Sequence, residues 1–363
     1  MNSKFDCFVS LYQSYPSYHG ASDITYNLFK AWPNKFKNLI QVSKTNKKMS
    51  NIINVKHKFG LIGMLINLFI ISITVKKKLR NYKNKRVIIE GASWAGYIYL
   101  LIKILNYLVK DLIIIYHSHN LEYEVRKYKN SKLVRFFTFY FEKFIYQNSI
   151  GTTVSSKDKR FVKANYKQES ILFENFVNPT KPKKILNKNI IKNKFIFFCG
   201  SYTYWPNRIA FNNIIKNQKI ISKKFPKIKF VFTGEGFPKM NDKNVINLNI
   251  VDKSKLVWLY KNCLFFYAPL PKAPGTKIKI LEAIYYGSTL LCSNHSLTGI
   301  NKINNINFLF TINNQLQKRL DYIKSQEFHK IKKNNSKFIS YYNINLAIKK
   351  FNDKLYKKYT IKI

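Results

Sequence analysis

The stretch of sequence with the clearest chemical meaning is a loop and helix that begin near Pro274. A turn at Pro274-Gly275 is followed by apolar residues at helical spacing, which predicts a helix. Gly275 and Thr276 then stand at its N-terminus, where free backbone N–H groups and the helix dipole favour an anion such as phosphate. Lys277 and Lys279 add positive charge at the same place.

Glu282 lies seven residues after Gly275, which is about 10 Å along a helix axis. That is about the separation between the pyrophosphate and the ribose of a nucleotide. A carboxylate there could accept hydrogen bonds from the ribose hydroxyls while the loop binds the phosphates. The alternative is that Glu282 only pairs with Lys279, one turn back on an exposed helix face, and spacing alone leaves both open.

Two residues in the first half of the chain also follow predicted strands. His119 comes just after a strand predicted over Ile113 to Tyr116, at the sheet edge where ligands of open α/β sheets bind. His117 should point to the opposite side if the strand extends that far. Gly20 precedes a helix predicted over Ile24 to Ala31, and a glycine permits close approach of a ligand to the backbone. The alternatives are a structural histidine and an ordinary turn.

Short β-rich segments alternate with longer helical patterns along the whole chain, which predicts parallel sheets covered by helices. At 363 residues, the length suits two such domains. The predicted strands of the first half are Phe5 to Tyr12, Arg86 to Glu90, Leu112 to Tyr116 and Gly151 to Val154. Those of the second half are Phe195 to Cys199, Lys229 to Thr233, Val245 to Asn249, Cys263 to Ala268 and Thr289 to Ser293.

The domain boundaries follow from a lysine- and proline-containing stretch without apolar periodicity. We predict a first domain over residues 1–177, a linker over 178–194 and a second domain over 195–327. Residues 328–363 form a very basic segment with a helical pattern.

Several segments together resemble one enzyme family. Segment 273–287, APGTKIKILEAIYYG, is similar to the GxGT-[RK]-x-K-x-LEAMAxG signature of GT-B glycosyltransferases of the family-4-like group. Further similarities are the Gly-Ser and Pro-Asn pairs in 197–207, the glycine turn in 230–236, the HNxE-like segment 118–122, the S-x-x-D helix start at 155–158 and the strand exit at Asn175.

The resemblance implies an α/β fold of two Rossmann-like domains facing across a cleft, with a C-terminal helix that crosses back to the first domain. It implies transfer of a sugar from a nucleotide-sugar to a glycan or lipid-linked acceptor, with retention of configuration and without a metal or other cofactor. Because a fold does not fix the reaction, a sugar epimerase or phosphorylase on the same fold is the alternative among enzymes. The implied donor-binding residues are Gly20, Gly200, Ser201, Gly275, Thr276, Lys277, Lys279 and Glu282. Those implied for catalysis are His119, Lys277 and Glu122, and an inverting reaction would take its base from Glu122, Asp23 or His119.

The sequence departs from the family pattern at three places. Pro274 stands where many relatives carry a glutamate that contacts the sugar. The arginine and lysine that some relatives use on the diphosphate are not recognisable after Ser201, which leaves Lys277, Lys279 and Arg208 for that charge. The double glycine near the N-terminus is reduced to Gly20.

The net charge of +47 raises nucleic acid or an anionic membrane surface as partners. Because the lysines are spread along the chain and accompany many Asn, Ile, Tyr and Phe, we favour a compositional bias over a specific nucleic-acid site. The four widely spaced cysteines and the absence of a leader-like N-terminus predict a cytoplasmic protein with buried thiols.

One apolar segment raises the question of whether the protein associates with a membrane. Residues 59–75, FGLIGMLINLFIISITV, are apolar and are followed by Lys76, Lys77 and Lys78. A buried helix, a helix lying in the membrane interface and a short transmembrane helix are all open. An interfacial helix would place the chain as a peripheral protein at the inner membrane face.

Overall fold

The computed structural model describes two compact units, Met1–Asn175 with Ile344–Ile363 and Phe176–Asn343. The residues described are 4–17, 20–45, 49–58, 60–127, 131–185, 194–304, 306–312, 315–325 and 333–361. The predicted linker is only partly covered, because its residues 186–193 lie outside the described ones. Its residues 178–185 lack helix and strand and belong to the second unit.

The first unit is built on a parallel sheet of seven strands in the order β3-β2-β1-β4-β5-β6-β7. The strands are β1 Lys4–Ser10, β2 Lys37–Ser43, β3 Ile52–Lys56, β4 Asn84–Glu90, β5 Leu112–His117, β6 Ile150–Thr153 and β7 Ile171–Leu172. The helices between them are α1 Gly20–Ala31, α2 Gly60–Leu79, α3 Ala95–Leu108, α4 Glu122–Arg126, α5 Lys132–Gln147 and α6 Ser156–Phe161.

The second unit repeats this plan with six parallel strands in the order β10-β9-β8-β11-β12-β13. The strands are β8 Phe195–Cys199, β9 Lys229–Thr233, β10 Val245–Asn247, β11 Phe265–Ala268, β12 Leu290–Cys292 and β13 Leu309–Thr311. The helices are α7 Trp205–Lys216, α8 Gln218–Lys224, α9 Lys253–Asn262, α10 Ile278–Tyr285, α11 Leu316–Lys324 and α12 Ser336–Tyr341. Both orders are Rossmann-like, and the predicted fold class is confirmed.

The last helix, α13 Ile344–Tyr359, returns to the first unit. Phe351 stacks on Phe173 with ring centroids 4.7 Å apart, and Lys354 Nζ donates to the Leu172 carbonyl at 3.0 Å. The segment predicted as one helical region over 328–363 is therefore divided between the two units. Of that segment, residues 328–332 lie outside the described ones.

A buried ion pair joins β1 to β4 at the centre of the first sheet. Arg86 and Asp6 are register partners, and Arg86 Nη2 donates to Asp6 Oδ2 at 2.8 Å. The same carboxylate accepts from Trp32 Nε1 and Asn34 Nδ2, both at 2.9 Å. The charge is thus compensated by donors from three places in the chain, as burial of a carboxylate requires.

Helix α2 packs on the sheet by one face and exposes the other. It is the helix among the described residues that is long and apolar enough to cross a membrane, with about one third of its apolar window buried. Its buried Asn67 reaches the backbone of Lys56 and Lys58, and Ser72 donates to the Leu68 carbonyl at 2.8 Å. The polar residues inside the apolar run are therefore satisfied within the unit.

All four cysteines are buried and free, as the sequence predicts. Strands β2 and β3 were not predicted, because buried polar residues interrupt their apolar pattern. Gln41 of β2 accepts from the backbone N–H groups of Ser14 and Tyr15, both at 2.8 Å, and donates to Asn54. Gln41 therefore stabilises the loop after β1 and does not lie on an exposed face of the sheet.

Replacing Arg86 with methionine should destabilise the first unit by about 3 to 5 kcal/mol, because the Asp6 carboxylate would stay buried without its cation. Hydrogen exchange of β1 and β4 peptides, followed by mass spectrometry, measures this loss. The double variant Asp6→Asn/Arg86→Met should recover part of it, since no buried charge remains. A loss below about 1 kcal/mol in the single variant would contradict this account.

Candidate functional site

The second unit carries glycine turns at the carboxyl ends of its central strands. Gly200 follows β8 and Gly234 follows β9, both at positive φ (143° and 133°). A Cβ on Gly234 would lie 2.1 Å from the Gly200 carbonyl oxygen, so the two turns pack too closely for any side chain there. Gly200 lies next to the point between β8 and β11 where the strand order reverses and where open α/β sheets bind ligands, and Gly234 lies one strand further out.

The side chain of Lys279 contacts the turn at Gly200. Its ammonium donates to the Cys199 carbonyl at 2.5 Å and to Asn207 Oδ1 at 2.6 Å, and lies 4.5 Å from the ring centroid of Phe198. Asn207 Nδ2 donates to the Ser201 carbonyl at 2.7 Å. Burial lowers the pKa of Lys279 to about 8, against the opposing effects of Cys199 and Glu282.

Helix α10 starts at Ile278, so Gly275 and Thr276 lie in the loop just before it rather than in its first turn. Gly275 has a φ of 75°, which favours glycine. The ammonium of Lys277 donates to the carbonyl oxygens of Ala273 at 2.5 Å and of Gly275 at 2.6 Å. Lys277 therefore binds its own loop.

Glu282 is buried, with 6% of its surface exposed, and its carboxylate pairs with Lys253 at the start of α9. The alternative of an exposed pair with Lys279 is wrong. Lys279, although one turn away on the same helix, is turned toward Gly200. Helix α10 thus carries a buried carboxylate paired with a cation of α9 and, one turn earlier, a lysine that contacts the Gly200 turn.

The first unit gathers a second cluster at the carboxyl ends of β4 and β5. Glu90 Oε2 lies 2.9 Å from His117 Nδ1 and 2.8 Å from His119 Nε2. The same oxygen accepts from Thr25 Oγ1 at 2.8 Å, and the Thr25 hydroxyl lies 2.7 Å from the Tyr12 hydroxyl. Predicted site residue His119 is therefore one part of a network whose centre is Glu90.

The electrostatics of this cluster are set by burial and by the pairing itself. Burial raises the pKa of Glu90, but the charge and hydrogen bonds of His117 and His119 outweigh it and hold that pKa at about 2. Burial lowers the pKa of His119, while its hydrogen bond to Glu90 acts in the opposite direction. A carboxylate beside a neutral His119 is thus the expected state at neutral pH.

Among the residues described, Glu90, His117 and His119 are also the group whose ligand atoms could hold a metal ion, all lying within 4.8 Å of one another. Their O···N separations of 2.8 and 2.9 Å are hydrogen-bond lengths. The arrangement is that of a hydrogen-bonded carboxylate with two imidazoles.

Glu122 is the first residue of α4, and its carboxylate is bound by Arg126, with Arg126 Nε 2.7 Å from Glu122 Oε1. Burial raises the pKa of Glu122, opposed by Arg126. The backbone N–H groups of Glu122 and Tyr123 donate to buried Glu142 at 2.8 and 3.1 Å, and Tyr166 donates to it at 2.7 Å. Glu142 thereby anchors the segment that follows His119.

The remaining predicted residues lie at the surface of their units. Gly20 is the first residue of α1, earlier than the predicted helix start, and Asp23 lies in that helix's first turn. Ser201 Oγ lies 2.6 Å from Thr203 Oγ1, and Arg208 on α7 is exposed.

The expectation that His117 points away from His119 is wrong, because β5 includes His117 and both rings contact Glu90 Oε2. Sequence reasoning missed Glu90, Glu142 and Lys253. Glu90 carried a usable signal, because a charged residue ended a predicted buried strand just before a glycine. Glu142 and Lys253 sit in helical patterns rich in charged and aromatic residues, and nothing local marks them. The residues that Glu142 and Lys253 contact lie about 20 to 30 positions away in the sequence.

Comparison with known proteins places the fold. No family model matches the sequence, and no curated protein matches it. The chain is similar to solved structures over almost its whole length. One is Alr3699/HepE of Anabaena in complex with UDP-glucose, at 11% identity, with a TM-score of 0.68 over 97% of this chain and 99% of that one.

Two further structures show the same likeness. A glycosyltransferase of Rickettsia africae aligns at 16% identity with a TM-score of 0.62 over 98% of each chain. A putative UDP-N-acetylglucosamine 2-epimerase of Listeria monocytogenes aligns at 10% identity with a TM-score of 0.61 over 99% and 97%. The two-domain GT-B fold expected from the sequence is thereby confirmed.

The Glu142 anchor should make the stability of the first unit depend on pH. Burial raises the pKa of Glu142 from 4.5 to about 7, so the folded unit binds this proton more tightly than the unfolded chain. The stabilisation is complete below about pH 4.5 and is lost as the pH rises through about 7. Hydrogen exchange of α4 and α5 between pH 5 and 8 should show this loss, and Glu142→Gln should flatten it.

Glu124→Gln is the matched control for Glu142→Gln, because Glu124 lies on the neighbouring helix α4 and pairs with Lys127 near the surface. The control should keep the pH dependence of the unaltered protein. If Glu142→Gln also keeps it, the dependence arises elsewhere.

Proposed function

We propose that this chain is a glycosyltransferase that moves a sugar from a nucleotide-sugar donor to a glycan or lipid-linked acceptor. The observation that carries the proposal is the buried Glu282 carboxylate on α10, the helix whose Lys279 contacts the turn at Gly200. A carboxylate accepts hydrogen bonds from ribose hydroxyls, and the backbone N–H groups of the loop that precedes α10 suit a diphosphate. The fold is shared along the full chain with a protein whose structure holds UDP-glucose.

The chemistry follows from what leaves and what attacks. Glycosyl transfer passes through an oxocarbenium-like state while a nucleoside diphosphate departs with growing negative charge. The loop at Gly275 and Thr276, with Lys277 and Lys279 close behind it, is proposed to stabilise that charge without a metal. His119 is proposed to contact the transferred sugar or the acceptor hydroxyl, with Glu122 nearby in sequence.

Retention of configuration is part of the proposal and comes from the sequence resemblance. An inverting reaction would need a base from His119, Glu122 or Asp23. The anomer of the product distinguishes the two routes.

Replacing Glu282 with alanine should weaken binding of UDP-glucose or another nucleotide-sugar by about 100-fold. Two hydrogen bonds to a charged group contribute about 1.5 kcal/mol each, and 1.4 kcal/mol is a factor of ten in affinity. Thermal shift across a panel of nucleotide-sugars, followed by calorimetry on the best one, measures the change. Asp321→Ala is the control, because Asp321 is a surface carboxylate of the same unit, paired with Lys224. Unchanged donor affinity in Glu282→Ala would remove the basis of the proposal.

A sugar epimerase is the second candidate, supported by the likeness to the Listeria protein. The two enzymes differ in what they need besides the nucleotide-sugar. A transferase requires an acceptor alcohol, whereas an epimerase changes the sugar without one. Turnover that is indifferent to any added alcohol would favour the epimerase.

A basic nucleic-acid-binding protein is the alternative from another class, raised by the charge of +47. It predicts steeply salt-dependent binding to any duplex. We expect Glu282→Ala to leave such binding unchanged, so the two activities separate in one variant.

The surface of the first unit supports an acceptor presented at a membrane. Helices α2 and α5 both pack against α3. Each exposes a stripe of large apolar side chains, which on α2 is Leu61, Ile62, Leu65, Ile66, Phe69 and Ile70, and on α5 is Leu133, Phe136, Phe137 and Tyr140. Lys76, Lys77 and Lys78 end α2 and are exposed. We propose that these stripes rest on an anionic lipid surface at the cytoplasmic face, with the lysines on lipid phosphates.

Changing Lys76, Lys77 and Lys78 to glutamate should abolish binding to vesicles that contain anionic lipid. Each lysine near such a surface contributes about 1 kcal/mol to the binding free energy, so reversing three charges lowers the affinity by at least about 100-fold. The matched control reverses three exposed lysines of the second unit, Lys216, Lys219 and Lys223. Vesicle flotation measures the bound fraction, and equal binding by both triple variants would contradict a specific α2 contact.

A further inference from the structure

In the hydrogen bonds around Glu90, the carboxylate is always the acceptor. An ionised carboxylate only accepts, so the Thr25 hydroxyl donates to Glu90 Oε2. The Thr25 oxygen is then free to accept, and the Tyr12 hydroxyl at 2.7 Å is its donor. The chain of donors therefore ends on one carboxylate oxygen.

The same rule fixes the protons of both histidines. His117 must donate from Nδ1 and His119 from Nε2, because each of these nitrogens lies at hydrogen-bond distance from the same carboxylate oxygen. For a neutral imidazole, the opposite nitrogen then carries the lone pair. In His119 that nitrogen is Nδ1.

Exposure distinguishes the two rings. The side chain of Glu90 is fully buried and that of His117 is 3% exposed, whereas His119 keeps 7%. The His117 ring is also covered by Phe173, with centroids 5.1 Å apart. Of the two rings, His119 is therefore the one that offers more surface to a substrate hydroxyl.

We propose that Glu90 is a positioning residue that holds His119 as the Nε2–H tautomer, so that Nδ1 accepts a hydrogen bond from a substrate hydroxyl. The inference rests on the proposed function, because a sugar or its acceptor supplies that hydroxyl. A histidine oriented by a buried carboxylate is held in one tautomer and one ring orientation.

A neutral acid or amide at position 90 could not serve in the same way. It would present a donor as well as an acceptor to three groups that all donate. The charge of Glu90 also raises the pKa of His119 against the effects of burial and of His117, which are the other influences on this ring. Removing the charge should therefore lower the His119 pKa further, and His119 should no longer be held as the Nε2–H tautomer.

The test uses the full-length chain with ¹⁵N-labelled histidine, in which only six histidines give signals. Long-range ¹H–¹⁵N spectra report the tautomer and pKa of each ring, and His119→Gln assigns its signals. We expect the Nε2–H tautomer for His119 in the unaltered protein. Glu90→Gln should move His119 toward a mixture of tautomers with a lower pKa, and Glu90→Asp should partly restore it.

Thr25→Val is the matched control, since it removes one donor from the same oxygen but keeps the charge. It should keep the His119 tautomer, which separates loss of the carboxylate from damage to packing. Unchanged tautomer and pKa in Glu90→Gln would overturn the proposal. Stoichiometric zinc that co-purifies with the protein and is lost in Glu90→Gln would also overturn it, because a metal would then orient the rings.

Turnover of UDP-glucose, or of the best nucleotide-sugar from the panel, gives the functional readout. Glu90→Gln should lower kcat about 10- to 100-fold by misplacing the hydroxyl, with UDP affinity unchanged because the nucleotide is bound by the second unit. If UDP affinity falls as much as kcat, Glu90 is not a positioning residue. If no nucleotide-sugar binds the unaltered protein, the proposed function fails, while the spectra still decide whether Glu90 sets the tautomer.

Discussion

Both units depend on one constraint, the parallel alignment of every strand in each sheet. Parallel strands bring their carboxyl ends to the same edge, and the order reverses beside β1 in the first sheet and beside β8 in the second. The loops that leave these strands diverge there and open a crevice. Residues far apart in sequence, such as Thr25, Glu90 and His117, meet only because of this alignment.

Buried charge is the second feature that shapes the sites, and each case is compensated differently. Asp6 is matched by a full cation in Arg86, while Glu90 is matched by two imidazoles and a hydroxyl. Lys279 is hydrogen-bonded to neutral oxygens, and burial lowers its pKa to about 8 against the opposing effects of Cys199 and Glu282. Because an uncompensated buried charge is costly, these contacts fix the side chains that carry them.

The sequence predicted what short-range patterns encode. The strand at Phe195 to Cys199, the loop at Gly275 and the helix carrying Glu282 could be placed, because apolar periodicity and glycine both act over a few residues. It did not predict β2, because the polar Gln41 interrupts the apolar pattern of that strand. Gln41 is buried because it accepts hydrogen bonds from the backbone N–H groups of Ser14 and Tyr15. The Glu282–Lys253 pair also joins two helices 29 residues apart, and no local pattern contains it.

The sequence has no recognisable counterpart after Ser201 of the arginine–lysine pair found in some members of the family it resembles, and the two lysines at the start of α10 have other contacts. Lys277 binds the carbonyl oxygens of its own loop, and Lys279 binds the carbonyl that precedes Gly200. Each ammonium thereby offsets the negative ends of peptide dipoles, Lys277 at the loop proposed to bind the diphosphate and Lys279 at the Gly200 turn. The N–H groups of the same turns become better anion donors, since the electrostatic potential around them is more positive. In the reaction proposed above, positive charge beside these loops would thus favour the departing diphosphate without contacting it.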